Sequence, residues 1–280
     1  MDIKKMMTAF AVAGIATAGF AAIESANVVG YQNLETRAAG LTMSTPTFIP
    51  VGAPSVKLAD IQVTGYEAPY WDDDDEWWYG GVEAGGFVLR LLTGTGTAEA
   101  SYYWIDDPNK SIAAGWYADA AGTAIAGGAT SVVIEQGRGL WITGKGLKLQ
   151  CAGQVPADDV AYVTKSAGLS AVGNCTPVDL TLNKLFVNGY TAPYWDADDE
   201  WWYGGVEAGG FVVRLLTGTG TAEATYYWID DANKSIAAGW YADTNGTAID
   251  GGASSVSIPA GKGLWVTGKG LPLNIPAPEL

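Results

Sequence analysis

One segment of the chain crowds carboxylates and aromatic rings together, and it occurs twice. Trp71-Asp72-Asp73-Asp74-Asp75-Glu76-Trp77-Trp78-Tyr79 returns as Trp195-Asp196-Ala197-Asp198-Asp199-Glu200-Trp201-Trp202-Tyr203 with a single internal change. Indole and phenol rings offer flat apolar faces that stack on the C–H faces of sugars, and carboxylates accept hydrogen bonds from sugar hydroxyls. Trp71, Trp78 and Tyr79, with Trp195, Trp202 and Tyr203, are therefore the candidate ligand-binding residues.

The carboxylates suggest a second chemistry. In an extended chain Asp72, Asp74 and Glu76 lie on one face about 7 Å apart, where they repel one another unless water or a cation intervenes. Ca²⁺, a hard ion that takes oxygen ligands, is the natural bridge. Asp72, Asp74, Glu76 and Glu83 stand at positions 1, 3, 5 and 12 of the segment, an EF-hand-like spacing repeated by Asp196, Asp198, Glu200 and Glu207. The likeness is incomplete: Trp77 sits where the EF-hand turn needs glycine, and no helices flank it. The competing expectation is a solvated acidic loop.

Several chemistries are excluded. The chain has no histidine, so there is no Ser-His-Asp triad, no Cys-His pair and no imidazole metal ligand. Gly94-Thr95-Gly96-Thr97-Ala98 lacks the lysine of a phosphate-binding loop and reads as a turn between strands. Nothing calls for an organic cofactor. Paired carboxylates hydrolyse glycosides without histidine, so a glycoside hydrolase stays open, although no motif supports it.

Cys151 and Cys175 are the only cysteines, and in an exported chain an even count implies a disulfide. Closing that loop of about 25 residues would contribute roughly 3 kcal/mol in the chain-entropy model. Export is the expectation because Lys4 and Lys5 precede an uncharged, small and apolar run to Ala22, the pattern of a bacterial-style secretory signal peptide over residues 1–22. No other long apolar run follows, so no transmembrane segment is expected in the mature chain. Loss of Asp2, Lys4 and Lys5 would take the formal net charge from −15 to −16. Phosphate backbones repel such a surface, so nucleic acid is set aside as a partner.

The elements that must position these residues follow from a repeat. Val63 to Leu149 matches Val187 to Leu273 without a gap, at an offset of 124 and with roughly four-fifths of positions identical. Further upstream, Ala39-Gly40-Leu41 answers Ala167-Gly168-Leu169 with shifted spacing. The expected layout is a signal peptide at 1–22, a first β unit at 23–150, a linker at 151–158 and a second unit at 159–280. Short aromatic and β-branched runs such as Phe87-Val88-Leu89-Arg90-Leu91-Leu92 and Tyr102-Tyr103-Trp104-Ile105 alternate with Gly-Gly and Gly-Lys-Gly turns. No sustained helical period appears after the signal segment. The fold class is all-β, as two tandem sandwiches or small barrels, with one fused pseudo-symmetric domain as the alternative. Trp104, Trp116 and Trp141 sit in good strands and are expected to fill the core of a sandwich or to seal the contact between the units.

These features imply a secreted or cell-surface, non-enzymatic module that binds extracellular glycan through duplicated acidic-aromatic loops. The rival is a structural or adhesive surface protein whose repeats pack against other copies or other surface proteins.

Overall fold

The computed structural model describes residues 29–92, 98–216 and 222–278. The expected signal segment, residues 1–22, lies outside these, as do residues 94–97 of the expected turn. Among the described residues every regular element is a strand or a single turn of 3-10 helix, with no α-helix. No helix there is long and apolar enough to cross a membrane.

The first half holds β1 (Val29–Glu35), β2 (Thr42–Ser44), β3 (Val56–Lys57), β4 (Ile61–Thr64), β5 (Tyr70–Asp72), β6 (Trp77–Tyr79), β7 (Val82–Leu92), β8 (Ala98–Asp107), β9 (Ile112–Tyr117), β10 (Val133–Ile134), β11 (Leu140–Thr143) and β12 (Lys148–Gln154). The second holds β13 (Val160–Val163), β14 (Ser170–Gly173), β15 (Leu180–Thr181), β16 (Phe186–Val187), β17 (Tyr194–Asp196), β18 (Trp201–Tyr203), β19 (Val206–Leu216), β20 (Ala222–Asp231), β21 (Ile236–Tyr241), β22 (Ser257–Ile258), β23 (Gly263–Thr267) and β24 (Pro272–Ile275). β12 runs through Gln154, so residues 151–154 of the segment expected as a linker are strand.

All pairings are antiparallel. A five-stranded sheet in the order β2-β11-β7-β8-β9 and a three-stranded sheet β1-β12-β4 form the first half, and β14-β23-β19-β20-β21 with β13-β24-β16 form the second. The hydrophobic side chains of facing sheets meet in a sandwich-like core. Ile61, Val63 and Leu149 of the smaller sheet pack with Phe87, Leu89, Leu140 and Ile142 of the larger one. Leu185, Val187, Phe211, Val213, Leu264 and Val266 cluster in the second half. Trp116 anchors the first core: its indole N–H donates to the Ile61 carbonyl at 2.9 Å, and its ring meets Phe87 and Trp104 edge to face. Burying an indole without such an acceptor would leave a costly orphan donor. Trp240 does the same with Leu185 at 2.7 Å.

A third cluster lies between the halves, made of Leu92, Ala171, Leu216 and Trp265 with Met43, Trp141 and Leu169 against it. Trp141 thus seals the contact between the halves, one of the two places expected for it. Isolated bridges Ser44↔Lys262 and Arg138↔Val172 cross the same boundary. Thr45 N–H donates to the Gly261 carbonyl at 2.9 Å, and Gly173 N–H to the Gly137 carbonyl at 2.9 Å. Gly137 and Gly261 correspond at the repeat offset, so the contact is reciprocal, as in a two-fold interface.

The cysteines correct one expectation. Cys151 belongs to the first core and Cys175 to the second, and both are free and buried. The disulfide Cys151–Cys175 is not formed, because each thiol fills its own core as a small hydrophobe. Burial pushes both thiols up to about 12.

Candidate functional site

The acidic-aromatic segment folds as a small hairpin that stands apart from the main sheets. β5 pairs with β6 alone, in the register Tyr70↔Tyr79, Trp71↔Trp78, Asp72↔Trp77. Side chains alternate across a strand, so Trp71 and Trp78 occupy one face while Tyr70, Tyr79 and Trp77 occupy the other. Tyr70 and Tyr79 stack with centroids 5.9 Å apart, and Trp71 meets Trp78 edge to face at 5.7 Å. The copy β17–β18 repeats both contacts: Tyr194 with Tyr203 at 6.0 Å, and Trp195 with Trp202 at 5.7 Å. None of these rings reaches a core. Exposure runs from 36% at Trp78 to 53% at Trp77, and from 37% at Trp202 to 54% at Trp201.

The turn explains why the acids are where they are. Asp73 to Glu76 link the two short strands, and Asp72 Oδ1 accepts the N–H groups of Asp74 and Asp75 at 2.9 and 3.2 Å. An aspartate that bonds the backbone two residues on is a turn former. Glu76 then takes a left-handed φ of 50°. Asp196 and Glu200 do likewise. Tyr79 Oη donates to Asp75 Oδ2 at 2.7 Å, and this bond raises the phenol's pKa; Tyr203 and Asp199 match it at 2.7 Å.

Two devices fix the hairpin to the body. At its base Gly80 and Gly81 adopt φ of 75° and 77°, and Gly81 N–H donates to the Glu67 carbonyl at 2.7 Å. A Cβ on Gly81 would collide with the Asp106 carbonyl oxygen. At its side Asn109 acts as a one-residue strand: Trp78 N–H donates to Asn109 Oδ1 at 3.2 Å, and Asn109 Nδ2 donates to the Trp78 carbonyl at 2.9 Å. Because the Trp78 backbone bonds outward, Trp71↔Trp78 is a non-hydrogen-bonded pair, the kind that brings cross-strand side chains closest. Asn109 is held in turn by the 3-10 turn Pro108–Lys110, where buried Asp107 accepts Lys110 N–H at 3.2 Å and Lys110 Nζ at 2.8 Å. Asn233 clamps Trp202 in the same way at 3.3 and 3.0 Å.

The residues expected to bind ligand are brought together: Trp71, Trp78 and Tyr79 on one hairpin, and Trp195, Trp202 and Tyr203 on its copy. The residues expected to bind Ca²⁺ are not arranged as proposed. Asp74 and Glu76 lie in the turn rather than on a strand, so Asp72, Asp74 and Glu76 do not share an extended face, and neither do Asp196, Asp198 and Glu200. Glu83 and Glu207 belong to β7 and β19, past the hairpins. Among the described residues no group of three or more His, Cys, Asp or Glu side chains is gathered for a metal ion.

The sequence reading left out Tyr70, Trp77, Tyr194 and Trp201, although the near-palindrome Tyr-Trp-Asp…Trp-Trp-Tyr is itself the signature of cross-strand ring pairs. Asn109 and Asn233 carried no such signal, because an asparagine after a strand reads first as a turn residue.

Fold and site together define an all-β protein that displays two aromatic hairpins to solvent. Comparisons with protein-family models, with curated proteins and with solved structures find no match to this chain.

Proposed function

We propose that this protein is a secreted, non-enzymatic module that binds extracellular or cell-surface glycan through its duplicated hairpins, β5–β6 and β17–β18. The observation that carries this reading is the exposure of five aromatic side chains on each hairpin, Trp78 at 36% and Trp77 at 53% among them. Rings left about half in water forgo part of the roughly 1.5–3 kcal/mol that full burial of a large apolar side chain supplies, and a ligand that covers them recovers some of it. Sugar C–H faces stack on the indoles, while Asp73, Asp74 and the Tyr79 hydroxyl lie within the same hairpin to bond hydroxyls. The acids sit on an exposed turn rather than in a cleft, which supports binding over glycoside hydrolysis.

Two sites on one chain favour polymers, since a second attachment made intramolecular raises avidity by roughly 10²–10⁴ without any new contact. The test is retention on insoluble polysaccharides by the whole protein and by Trp78→Ala with Trp202→Ala. Retention by the parent and loss in the double variant is the expected result. No retention of either protein overturns the reading. Rings on both hairpin faces would also suit contact with another copy; dimerisation in sedimentation that vanishes in the same variant would favour that assembly reading.

A further inference from the structure

We infer that the hairpins select a glycan that carries positive charge, a polymer of free amino sugars, over neutral or anionic polysaccharides. The inference rests on the glycan-binding reading above and adds the substrate class. Its starting point is the unpartnered aromatic ribbon, both faces of which are exposed, together with the charge around it. Asp73, Asp74 and Glu76 are exposed, and the ion pairs Lys110–Asp107, Arg138–Glu99 and Lys234–Asp231 all lie off the hairpins. Lys110, on the 3-10 turn whose Asn109 clamps the hairpin, is taken by Asp107, and Lys234 in the copy by Asp231. A ring face attracts a cation through its quadrupole, and a free carboxylate beside it supplies the counter-charge. An amino sugar meets both demands at once, with C–H faces for the indoles and an ammonium group for the acids.

Other glycans match less of this surface. An anionic polysaccharide would approach a turn of five consecutive acids, Asp72 to Glu76, on a chain of net charge −15. A neutral one would stack on the rings and bond the carboxylates through its hydroxyls, but would bring no charge to pair with them. A basic peptide is the nearest competitor, and the hairpin is poorly made for it. Strand addition needs a free edge, and the outer edge of β6 at Trp78 is already occupied by the Asn109 amide, which leaves such a peptide only the three-residue edge of β5.

The experiment measures binding of the full chain to three hexamers of the same β-1,4 linkage: glucosamine, N-acetylglucosamine and glucose, at a pH where the free amines are protonated. Polylysine serves as a charge control. The glucosamine hexamer should bind roughly tenfold or more tightly than the other two and should lose that advantage in high salt. Asp73→Asn with Asp74→Asn and Glu76→Gln, and Asp198→Asn with Glu200→Gln in the copy, alter only exposed turn side chains. They should erase the preference for the glucosamine hexamer. Equal or weaker binding of the glucosamine hexamer overturns the inference and leaves the glycan reading standing. Binding of no hexamer overturns both. Polylysine that binds as tightly as the glucosamine hexamer, and is indifferent to Trp78→Ala with Trp202→Ala, shows bare charge attraction and overturns the inference as well.

Discussion

Trp141 and Trp265 occupy corresponding positions of the repeat and meet edge to face, ring centroids 5.9 Å apart at 78°. Each stands in its own sheet, paired with the sheet's outermost strand, Trp141 opposite Met43 and Trp265 opposite Ala171. Their contact seals the boundary at which the two halves exchange backbone hydrogen bonds. A repeat that places an aromatic on its own two-fold interface gains two rings from one codon position.

Trp265 is only 5% exposed, so Trp265→Ala should lower unfolding stability by about 3–5 kcal/mol. The more open Trp141 should cost less. In a double-mutant cycle the two should couple by about 0.5–1.5 kcal/mol, the value of an edge-to-face pair beyond its burial. Urea denaturation measures both quantities, and a coupling of zero would show that the rings are merely adjacent.

Gly81→Ala should damage the first hairpin more than any substitution of its exposed acids. The added methyl meets the Asp106 carbonyl, and the backbone φ of 77° disfavours any side chain. A strained left-handed residue costs of order 1–3 kcal/mol. The melting temperature should fall and the ring pairs separate. Gly205→Ala should repeat the effect in the copy, because a Cβ there meets the Asp230 carbonyl.

Asn109→Ala removes both bonds to the Trp78 backbone while leaving the cores untouched. Net stability should change by only about 1 kcal/mol per bond or less, since both bonds are solvent-exposed. The ring geometry should suffer more than the fold does. The readout is the exciton circular dichroism of the Trp71–Trp78 pair, expected to weaken with the melting transition largely retained. An unchanged exciton signal would mean that the hairpin holds its shape without the clamp.

Cys151 and Cys175, both raised to about 12 by burial, should stay protonated and unreactive toward alkylating reagents in the native protein at neutral pH. Because their folded values lie above the ordinary thiol range, reactivity should rise only under strongly alkaline conditions or on unfolding. Denaturation without reductant should release two titratable thiols per chain. Finding none would restore the disulfide.

Calcium should leave the melting temperature where it is. An ion that binds only the folded state stabilises it by mass action, and the hairpin acids do not converge as a ligand set. A melting temperature that climbs with added calcium and falls with chelator would falsify this.

How much was legible beforehand varies with the range of the interaction. Alternation of rings and β-branched residues with paired glycines declares strands because the causes are local: side-chain period, and a φ that only glycine adopts cheaply. The indole of Trp116 is declared for the core by the same pattern. The tertiary fate of Asp72, Asp74 and Glu76 was not legible, because a two-residue spacing says which face they share only if the backbone is extended. The carboxylate of Asp72 instead captures two amide groups and turns the chain.

By itself, then, the sequence determined that this protein is all-β and that an acidic, aromatic segment occurs in it twice, since composition and short-range periodicity suffice for both. Only the tertiary structure decided the rest. Trp71 and Trp78 face one another because strand register pairs residues seven apart across a turn, and register depends on backbone hydrogen bonds that composition does not encode. Cys151 and Cys175 remain thiols because long-range packing assigns them to different cores. Trp141 and Trp265 meet because the two sheets dock reciprocally, a contact between residues so distant in the chain that no local pattern announces it.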